Sequence, residues 1–190
     1  MAAFTKVFEA IEAPSVQAKC FFIDGPAGSG KTFLYKALIS TLRGDNKVVL
    51  SIASTGIAAN LLPGGRTYHS QYKLPVPLVE NSVSSMRLNP PEAKLIKEAG
   101  LFIWDESTMA PTHALSAVDR LLKEIMQSAI PFGGKVVLLG GDFRQTLPVV
   151  VHGSRSAIVE SSLKFCTHWD KFEKLILTEN VRSVDPDYSR

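Results

Sequence analysis

The sequence predicts an α/β domain built around a mostly parallel β-sheet. Short segments of almost continuous apolar character, rich in β-branched and aromatic residues, alternate with longer segments whose apolar residues recur at helical spacing. Strands that are apolar on both sides are typical of parallel sheets covered by helices on both faces. The predicted strands are 20–23, 47–52, 101–104, 135–139 and 174–177.

Two helices are predicted from the spacing of apolar residues. Helix 33–42 has one apolar face and is followed by Gly44, a residue type that commonly ends helices. Helix 112–127 has apolar residues at successive spacings of three, four and three, which indicates an amphipathic helix. The residues that define these faces are Leu34, Ala37, Leu38 and Leu42 in the first helix, and Leu115, Val118, Leu122 and Ile125 in the second.

The segment 63–91 interrupts this alternation. It holds five prolines and two adjacent glycines and has little periodicity, so it predicts a long surface loop with a short helix near 83–88. The domain is predicted to span 20–183, after an N-terminal helical segment at 1–19. Residues 184–190 resemble the start of a linker, and we expect the chain to stop short of a further domain.

Composition excludes several classes of protein. The 190 residues are 45% hydrophobic, which is enough for one packed domain and argues against disorder. No apolar run approaches the roughly 18 residues of a membrane span, and the charged N-terminal turns are unlike a signal peptide. Two cysteines are too few for a disulfide framework, which favours an intracellular, reducing compartment. The net charge of +3 permits a nucleic-acid partner without requiring one.

A glycine-rich motif lies between the first predicted strand and the first predicted helix. It matches G-x-x-x-x-G-K-[ST] in full. Its glycines let backbone N–H groups point at phosphate oxygens, and the helix N-terminus adds a positive dipole end. Lys31 is expected to reach the β- and γ-phosphates, and the Thr32 hydroxyl to bind Mg²⁺. The residues predicted to bind a nucleoside triphosphate are Gly25, Pro26, Ala27, Gly28, Ser29, Gly30, Lys31 and Thr32.

Two acidic residues directly follow the strand 101–104. Asp105, at the end of a buried strand beside the phosphate loop, can hold Mg²⁺ through water. The adjacent Glu106 can take a proton from an attacking water molecule. A kinase that transfers phosphate to a small acceptor does not need this second acid, so the pair favours hydrolysis.

A polar loop follows the strand 135–139. After Gly140 and a second glycine, the chain continues through Asp142 and Arg144 to Gln145. An amide side chain both donates and accepts hydrogen bonds, so Gln145 can sense a γ-phosphate and orient water. For Arg144 an ion pair with Asp142 on the loop stays open as an alternative to a functional role.

Two further segments carry small hydroxyl residues. Ser54, Thr55 and Gly56 follow the second strand and open a helix, where hydroxyl and N–H groups suit a phosphate of a nucleotide or of a nucleic-acid backbone. An ordinary helix N-cap explains the same residues equally well. In the segment 66–70, Thr67 and His69 offer donors beside a tyrosine ring that can contact a single strand.

These motifs, taken in order, resemble the first RecA-like motor domain of the PIF (petite integration frequency) family of DNA helicases, in the 5′→3′ branch of superfamily one. The residues of these motifs are more similar to those of eukaryotic members, including the helicase part of Helitron elements, than to those of bacterial RecD-type enzymes. The matching segments are Phe-Phe-Ile-Asp-Gly-Pro-Ala-Gly-Ser-Gly-Lys-Thr from Phe21, Ser-Thr-Gly-Ile-Ala-Ala from Ser54, Arg-Thr-Tyr-His-Ser from Arg66, Asp-Glu-Ser-Thr-Met from Asp105, Pro-Phe-Gly-Gly-Lys from Pro131, Gly-Gly-Asp-Phe-Arg-Gln from Gly140, and Leu-Thr-Glu-Asn-Val-Arg from Leu177.

The resemblance implies a three-layer RecA-like fold and an ATP-dependent DNA helicase, with ATP and Mg²⁺ as cofactors. Its implied processes are replication, repair, recombination and telomere maintenance. It implies that Lys31 binds phosphate and Thr32 binds Mg²⁺, and that Asp105 and Glu106 are the metal-binding and catalytic acids. It also implies that Gln145 senses the γ-phosphate and that Arg182 contacts it. The residues implied to contact single-stranded DNA are Ser54, Thr55, Gly56, Thr67 and His69.

The resemblance also implies a second RecA-like domain as partner, a nuclear or mitochondrial location and no membrane association. We expect this chain by itself to be a monomer. The family glutamine that recognises adenine ahead of the first helix is missing from this sequence. Two other hypotheses stay open: a nucleotide-dependent DNA-binding module without its own turnover, and a ring-forming ATPase with the same phosphate loop.

Overall fold

A computed structural model describes residues 2–13, 19–87, 91–145, 148 and 154–178. Within this part of the chain, six strands form one sheet, and every pairing is parallel. The strands are β1 Cys20–Asp24, β2 Val48–Ala53, β3 Arg66–Thr67, β4 Ala99–Asp105, β5 Val136–Gly141 and β6 Phe172–Ile176. Their order across the sheet is β3-β2-β4-β5-β1-β6.

Helices cover both faces of the sheet. The α-helices are α1 Ala2–Glu12, α2 Lys31–Gly44, α3 Gly56–Asn60, α4 Tyr68–Tyr72, α5 Pro91–Glu98, α6 Thr112–Met126 and α7 Arg155–Glu160. Short 3₁₀ helices occupy Ser107–Met109, Pro131–Gly134, Leu163–Phe165 and Trp169–Lys171. Residues of α1 and α2 form one apolar core with the sheet, and residues of α5 and α6 form a second core on the opposite face. The predicted three-layer α/β fold is confirmed.

The five predicted strands and both predicted helices are present, with small shifts at their ends. Continuous apolar character identified the strands because helices cover both faces of this sheet. Helix α2 begins at Lys31 and ends at Gly44, and α6 ends at Met126, with Gln127 as its cap. In the segment predicted to be a helix at 1–19, the structure places α1.

The predicted short helix near 83–88 is not formed by the described residues 83–87, and two short elements interrupt the predicted long loop at 63–91. The segment contains β3 and α4, α5 begins at Pro91, and residues 83–87 are not helical. The Ser84 hydroxyl donates to the Tyr72 carbonyl at 2.6 Å, and the Ser85 N–H donates to the Lys73 carbonyl at 3.1 Å. Hydrogen bonds of this kind compete with the helical ladder, because they hold the backbone against another segment.

The parallel topology brings the carboxyl ends of the strands to one edge of the sheet. There Ile23 of β1 is paired with Gly140 of β5, and Ala53 of β2 is paired with Asp105 of β4. The loops that follow β1, β2, β4 and β5 therefore start side by side, at the edge where α/β proteins bind their ligands. No helix among the described residues is long and apolar enough to cross a membrane.

Candidate nucleotide-binding site

The glycine-rich loop joins β1 to α2 in a conformation that its glycines permit. Gly28 and Gly30 have φ angles of 83° and 86°, in the left-handed region that favours glycine. The Lys31 Nζ donates to the carbonyl oxygens of Gly25 and Pro26, at 2.6 and 3.1 Å. The loop thus folds around a buried ammonium group, which has three N–H donors and retains one for a phosphate oxygen.

The loop forms one wall of a cleft of about 330 Å³. Among the predicted residues, those that line it are Ala27, Gly28, Gly30, Lys31, Thr32, Asp105, Glu106 and Gln145. Gly25 and Pro26 contribute their carbonyl groups to Lys31, and Ser29 packs directly over Gly25. Phe33, Ala58 and Leu61 complete the lining and were not predicted. The cleft therefore unites three motifs that are far apart in the sequence.

The two acidic residues stand in different environments. Asp105 is buried at the end of β4, and its Oδ1 accepts the Glu106 N–H at 2.9 Å. Burial raises the pKa of Asp105 to about 6; the charge of Glu106 adds to this rise, while the Glu106 N–H and the charge of Lys31 oppose it. A nearby cation would stabilise the ionised form of Asp105.

The donor set suits Mg²⁺. The Thr32 hydroxyl and the Asp105 carboxylate line the same cleft, and Mg²⁺ prefers oxygen ligands from one or two side chains together with water and phosphate. The burial of Asp105, which its hydrogen bond and the charge of Lys31 compensate only in part, gives an independent reason for a cation there. These two residues therefore fit the predicted metal site.

A tyrosine beneath this site was not predicted. Tyr35 is fully buried on α2, one helical turn after Lys31, and its hydroxyl packs against Gly140 of β5. The pKa of Tyr35 is raised well above 10 by burial first, and then by the charges of Asp105 and Glu106. The i, i+4 spacing from Lys31 was the available signal, but a tyrosine on an apolar helix face is more often part of the core.

Gln145 reaches the cleft from the loop after β5. Its Nε2 donates to Asp142 Oδ2 at 2.9 Å, and the Arg144 Nε donates to Asp142 Oδ1 at 2.6 Å. Burial alone would raise the pKa of Asp142, but the hydrogen bonds from Arg144 and Gln145 hold it below its ordinary value. Asp142 thus orients both side chains, and the ion pair with Arg144 that was left open as an alternative is present. Arg182 lies outside the described residues.

The residues predicted to contact single-stranded DNA lie along the same edge of the sheet. Ser54, Thr55 and Gly56 follow β2, and Thr67 is paired with Ala53, the last residue of β2. Thr55 and Thr67 are N-caps: their hydroxyl oxygens accept the N–H groups of Ala58 and Ser70 at 3.2 and 3.3 Å. The N-cap hypothesis for the segment 54–56 is therefore confirmed at Thr55, while the N-cap role of Thr67 was not predicted. Each hydroxyl keeps its proton as a donor.

His69 completes this surface. Its ring contacts the ring of Tyr68, with 4.0 Å between the centroids and 33° between the planes. Burial lowers the pKa of His69 below 6.5, so the imidazole is neutral at pH 7 and offers a ring face and a hydrogen bond rather than a charge.

An apolar cleft of about 510 Å³ lies on the other side of the phosphate loop. Phe4 of α1, Phe33 of α2 and Ile176 of β6 are among its lining residues, together with Ser29 and Gly30 of the loop. Phe33 is 78% exposed and Ile176 is 69% exposed. Sequence patterns did not reveal this cleft, since its walls come from three separate elements.

The model of the PIF1-like helicase family matches residues 2–190. The chain belongs to this family. It is 35% identical over 172 residues to the ATP-dependent DNA helicase Pif1 of Bdellovibrio bacteriovorus, covering 86% of this chain and 36% of that protein. It is 36% identical over 132 residues to the ATP-dependent DNA helicase PIF1 of Candida albicans, covering 68% of this chain and 14% of that protein.

Solved structures of PIF1-like helicases share the fold. The Bacteroides Pif1 helicase in complex with ADP-AlF3 and ssDNA matches with a TM-score of 0.81 and 27% identity, over 99% of this chain and 44% of that one. The Pif1 helicase of Candida albicans matches with a TM-score of 0.69 and 27% identity, over 94% of this chain and 38% of that one. The chain thus spans less than half the length of each of these relatives, in their first RecA-like domain.

Proposed function

We propose that this chain is the ATP-binding and ATP-hydrolysing motor domain of an ATP-dependent DNA helicase. One observation carries the proposal: Lys31, Thr32, Asp105, Glu106 and Gln145 line a single cleft at the carboxyl edge of a parallel sheet. Lys31 suits phosphate binding, Thr32 and Asp105 suit a metal site, and Glu106 and Gln145 suit the activation of water. Three separate sequence motifs therefore meet in this cleft.

Each side chain has a distinct role in the proposed reaction. The Lys31 ammonium, already held by two carbonyl groups, binds the β- and γ-phosphates. Thr32 and Asp105 would hold Mg²⁺, which would neutralise part of the phosphate charge. Glu106 accepts a proton from the attacking water, and Gln145 orients that water from the position that Asp142 gives it.

The nucleobase has a natural place in the apolar cleft beside the phosphate loop. Phe4, Phe33 and Ile176 offer apolar contact area there, which suits a flat heterocycle. A base in this cleft can belong to ATP or to GTP, and its contacts there would set the preference between them. Competition between the two nucleotides in a binding assay measures this preference.

The second ligand in this proposal is single-stranded DNA. Ser54, Thr55, Gly56, Thr67 and His69 form a strip of hydroxyl, backbone and imidazole groups beside the cleft. The similar Bacteroides Pif1 was solved with ssDNA and a nucleotide analogue together. Movement in the 5′→3′ direction belongs to this proposal through the family resemblance, as does a location in nuclei or mitochondria.

Unwinding belongs to the whole helicase rather than to this chain. The relatives are two to seven times longer than the segment they share with it. In the proposed mechanism a second RecA-like domain closes the cleft and contributes cationic side chains to the γ-phosphate. Arg182 contributes a further cationic side chain from this chain.

The proposal is tested with a phosphate-release assay on this chain and its Glu106→Gln variant. The amide retains the size of the side chain but cannot accept the proton, so the rate should fall by about 10²–10⁴-fold where the base is positioned. The affinity for ATP should be retained. Equal rates in the two proteins would remove Glu106 as the base, and no phosphate release from either would favour a DNA-binding module without turnover.

A further inference from the structure

Trp104 occupies the position directly before Asp105 on β4. Successive residues of a strand face opposite sides of the sheet, and the indole of Trp104 is buried in the apolar core that contains Tyr68. The side chain of Asp105 instead stands beside Tyr35, which belongs to the core on the other face. Trp104 is thus the neighbour of a proposed metal ligand but serves a different surface.

The indole contacts both segments of the proposed DNA surface. Its Nε1–H donates to the Ser54 Oγ, at 3.1 Å. Its ring lies against that of Tyr68, with 5.0 Å between the centroids and 30° between the planes. Tyr68 in turn contacts the ring of His69, with 4.0 Å between those centroids. A single buried side chain therefore connects Ser54, after β2, with His69, after β3.

The chemistry of this hydrogen bond determines which part of the serine hydroxyl is engaged. An indole N–H is only a donor, so the Ser54 Oγ is necessarily the acceptor. The hydroxyl proton of Ser54 is then available to donate to another group. A phosphate oxygen is only an acceptor, so the donor that this hydrogen bond leaves available on Ser54 is the group that a DNA backbone requires.

We propose that Trp104 is a positioning residue for single-stranded DNA, acting through Ser54 by its indole N–H and through His69 by the Tyr68 ring. The inference depends on the proposed function, since it takes Ser54 and His69 as DNA contacts. It assigns to a buried aromatic residue a part in ligand recognition. A phenylalanine in its place would fill most of the same core volume but would leave the Ser54 hydroxyl without this donor.

A double-mutant cycle separates this role from simple packing. The three variants are Trp104→Phe, Ser54→Ala and the combination of the two. Loss of the indole donor should weaken the binding of a fluorescent oligo-dT strand by about fivefold at low salt, the usual net worth of one hydrogen bond. The affinity for an ATP analogue with Mg²⁺ should stay within about twofold, which shows that the nucleotide cleft is retained.

The combined variant gives the decisive comparison. If Trp104 acts through Ser54, the double variant should bind oligo-dT only slightly more weakly than Ser54→Ala does. The remaining difference should be the small effect of the altered ring contact. Fully additive losses would overturn the route through Ser54. Equal affinities of Trp104→Phe and the unaltered chain would overturn the inference while leaving the proposed function intact, provided that Ser54→Ala binds more weakly.

Trp169 provides a matched control, because it is the other tryptophan in the sequence. It is buried against Phe22, Phe143 and Phe172, apart from the proposed DNA surface. Trp169→Phe should leave the affinity for oligo-dT unchanged and makes Trp104 the only source of tryptophan emission. We expect oligo-dT to shift or quench that emission, and a spectrum unchanged at saturation would overturn the inference even if Trp104→Phe failed to fold. A chain that binds no oligo-dT at all would overturn both the inference and the DNA part of the proposed function.

Discussion

Replacement of Asp105 by asparagine is expected to stabilise the metal-free domain at neutral pH. Asp105 is buried, and its pKa is raised from 3.8 to about 6. Its protonated form is therefore favoured by folding, and its ionised form is penalised. Asparagine has nearly the same shape and is never ionised, and its side-chain oxygen can still accept the Glu106 N–H. The substitution thus removes the penalty while it preserves the local hydrogen bond.

The size and the sign of the effect follow from the two pKa values. Below about pH 3 the carboxyl group is largely protonated in both the folded and the unfolded chain, and the penalty is close to zero. As the pH rises from about 3 to 6, the unfolded chain releases the proton first, so stability falls. Above pH 6 the penalty is complete at about 3 kcal/mol, from 1.36 kcal/mol for each pKa unit. For a domain of this size, this corresponds to a rise in Tm of about 6–12 °C in the variant.

Thermal unfolding followed by circular dichroism at pH 7.5 and pH 4, with a chelator present, measures the effect. The gain should shrink to less than about 1 kcal/mol at pH 4, where the native carboxyl group is protonated. Addition of Mg²⁺ and an ATP analogue should stabilise the native chain more than the variant, because a cation stabilises the ionised carboxylate. A variant that is no more stable at pH 7.5, or that gains equally at both pH values, would refute this explanation.

Two further predictions concern the core beneath the site and the motor as a whole. Gly140→Ala should destabilise the fold by about 3 kcal/mol, because its methyl group would meet the Tyr35 hydroxyl. The loss should be smaller in a chain that also carries Tyr35→Leu, since that substitution vacates the space. Strictly additive losses of stability in urea unfolding would contradict the contact. This chain alone should release phosphate slowly and should not separate a DNA duplex. An arginine finger from a partner domain increases the rate by about 10³–10⁵ in other enzymes, and this chain alone would lack it. Strand separation by the monomer would contradict the role given to a second domain.

The features that sequence predicted well are local in the chain. The phosphate loop is one continuous motif, and the conformation of Gly28 and Gly30 follows from a turn that only glycine adopts without strain. The acids Asp105 and Glu106 followed from their place at the end of an apolar strand. The parallel sheet then brings these pieces together, because each motif follows the carboxyl end of a strand.

The features that sequence missed depend on contacts between distant segments. Strand β3 has two residues and exists through its pairing with β2, so neither apolar pattern nor propensity could identify it. Tyr35 and Trp104 look like ordinary core residues in the sequence. Their roles depend on contacts with Gly140 and Ser54, respectively, which lie far away in the chain. The serines that hold 83–87 out of a helix act on α4 and the residue after it.

The central claim is that the cleft around Lys31 binds a nucleoside triphosphate with Mg²⁺, and calorimetry with a non-hydrolysable ATP analogue tests it most directly. We predict one site for each chain, and an affinity that falls at least about tenfold in Lys31→Ala, because hydrogen bonds to charged groups are lost. Circular dichroism should show that the variant retains the fold. Absence of binding by the native chain, or equal affinity in the variant, would contradict the account.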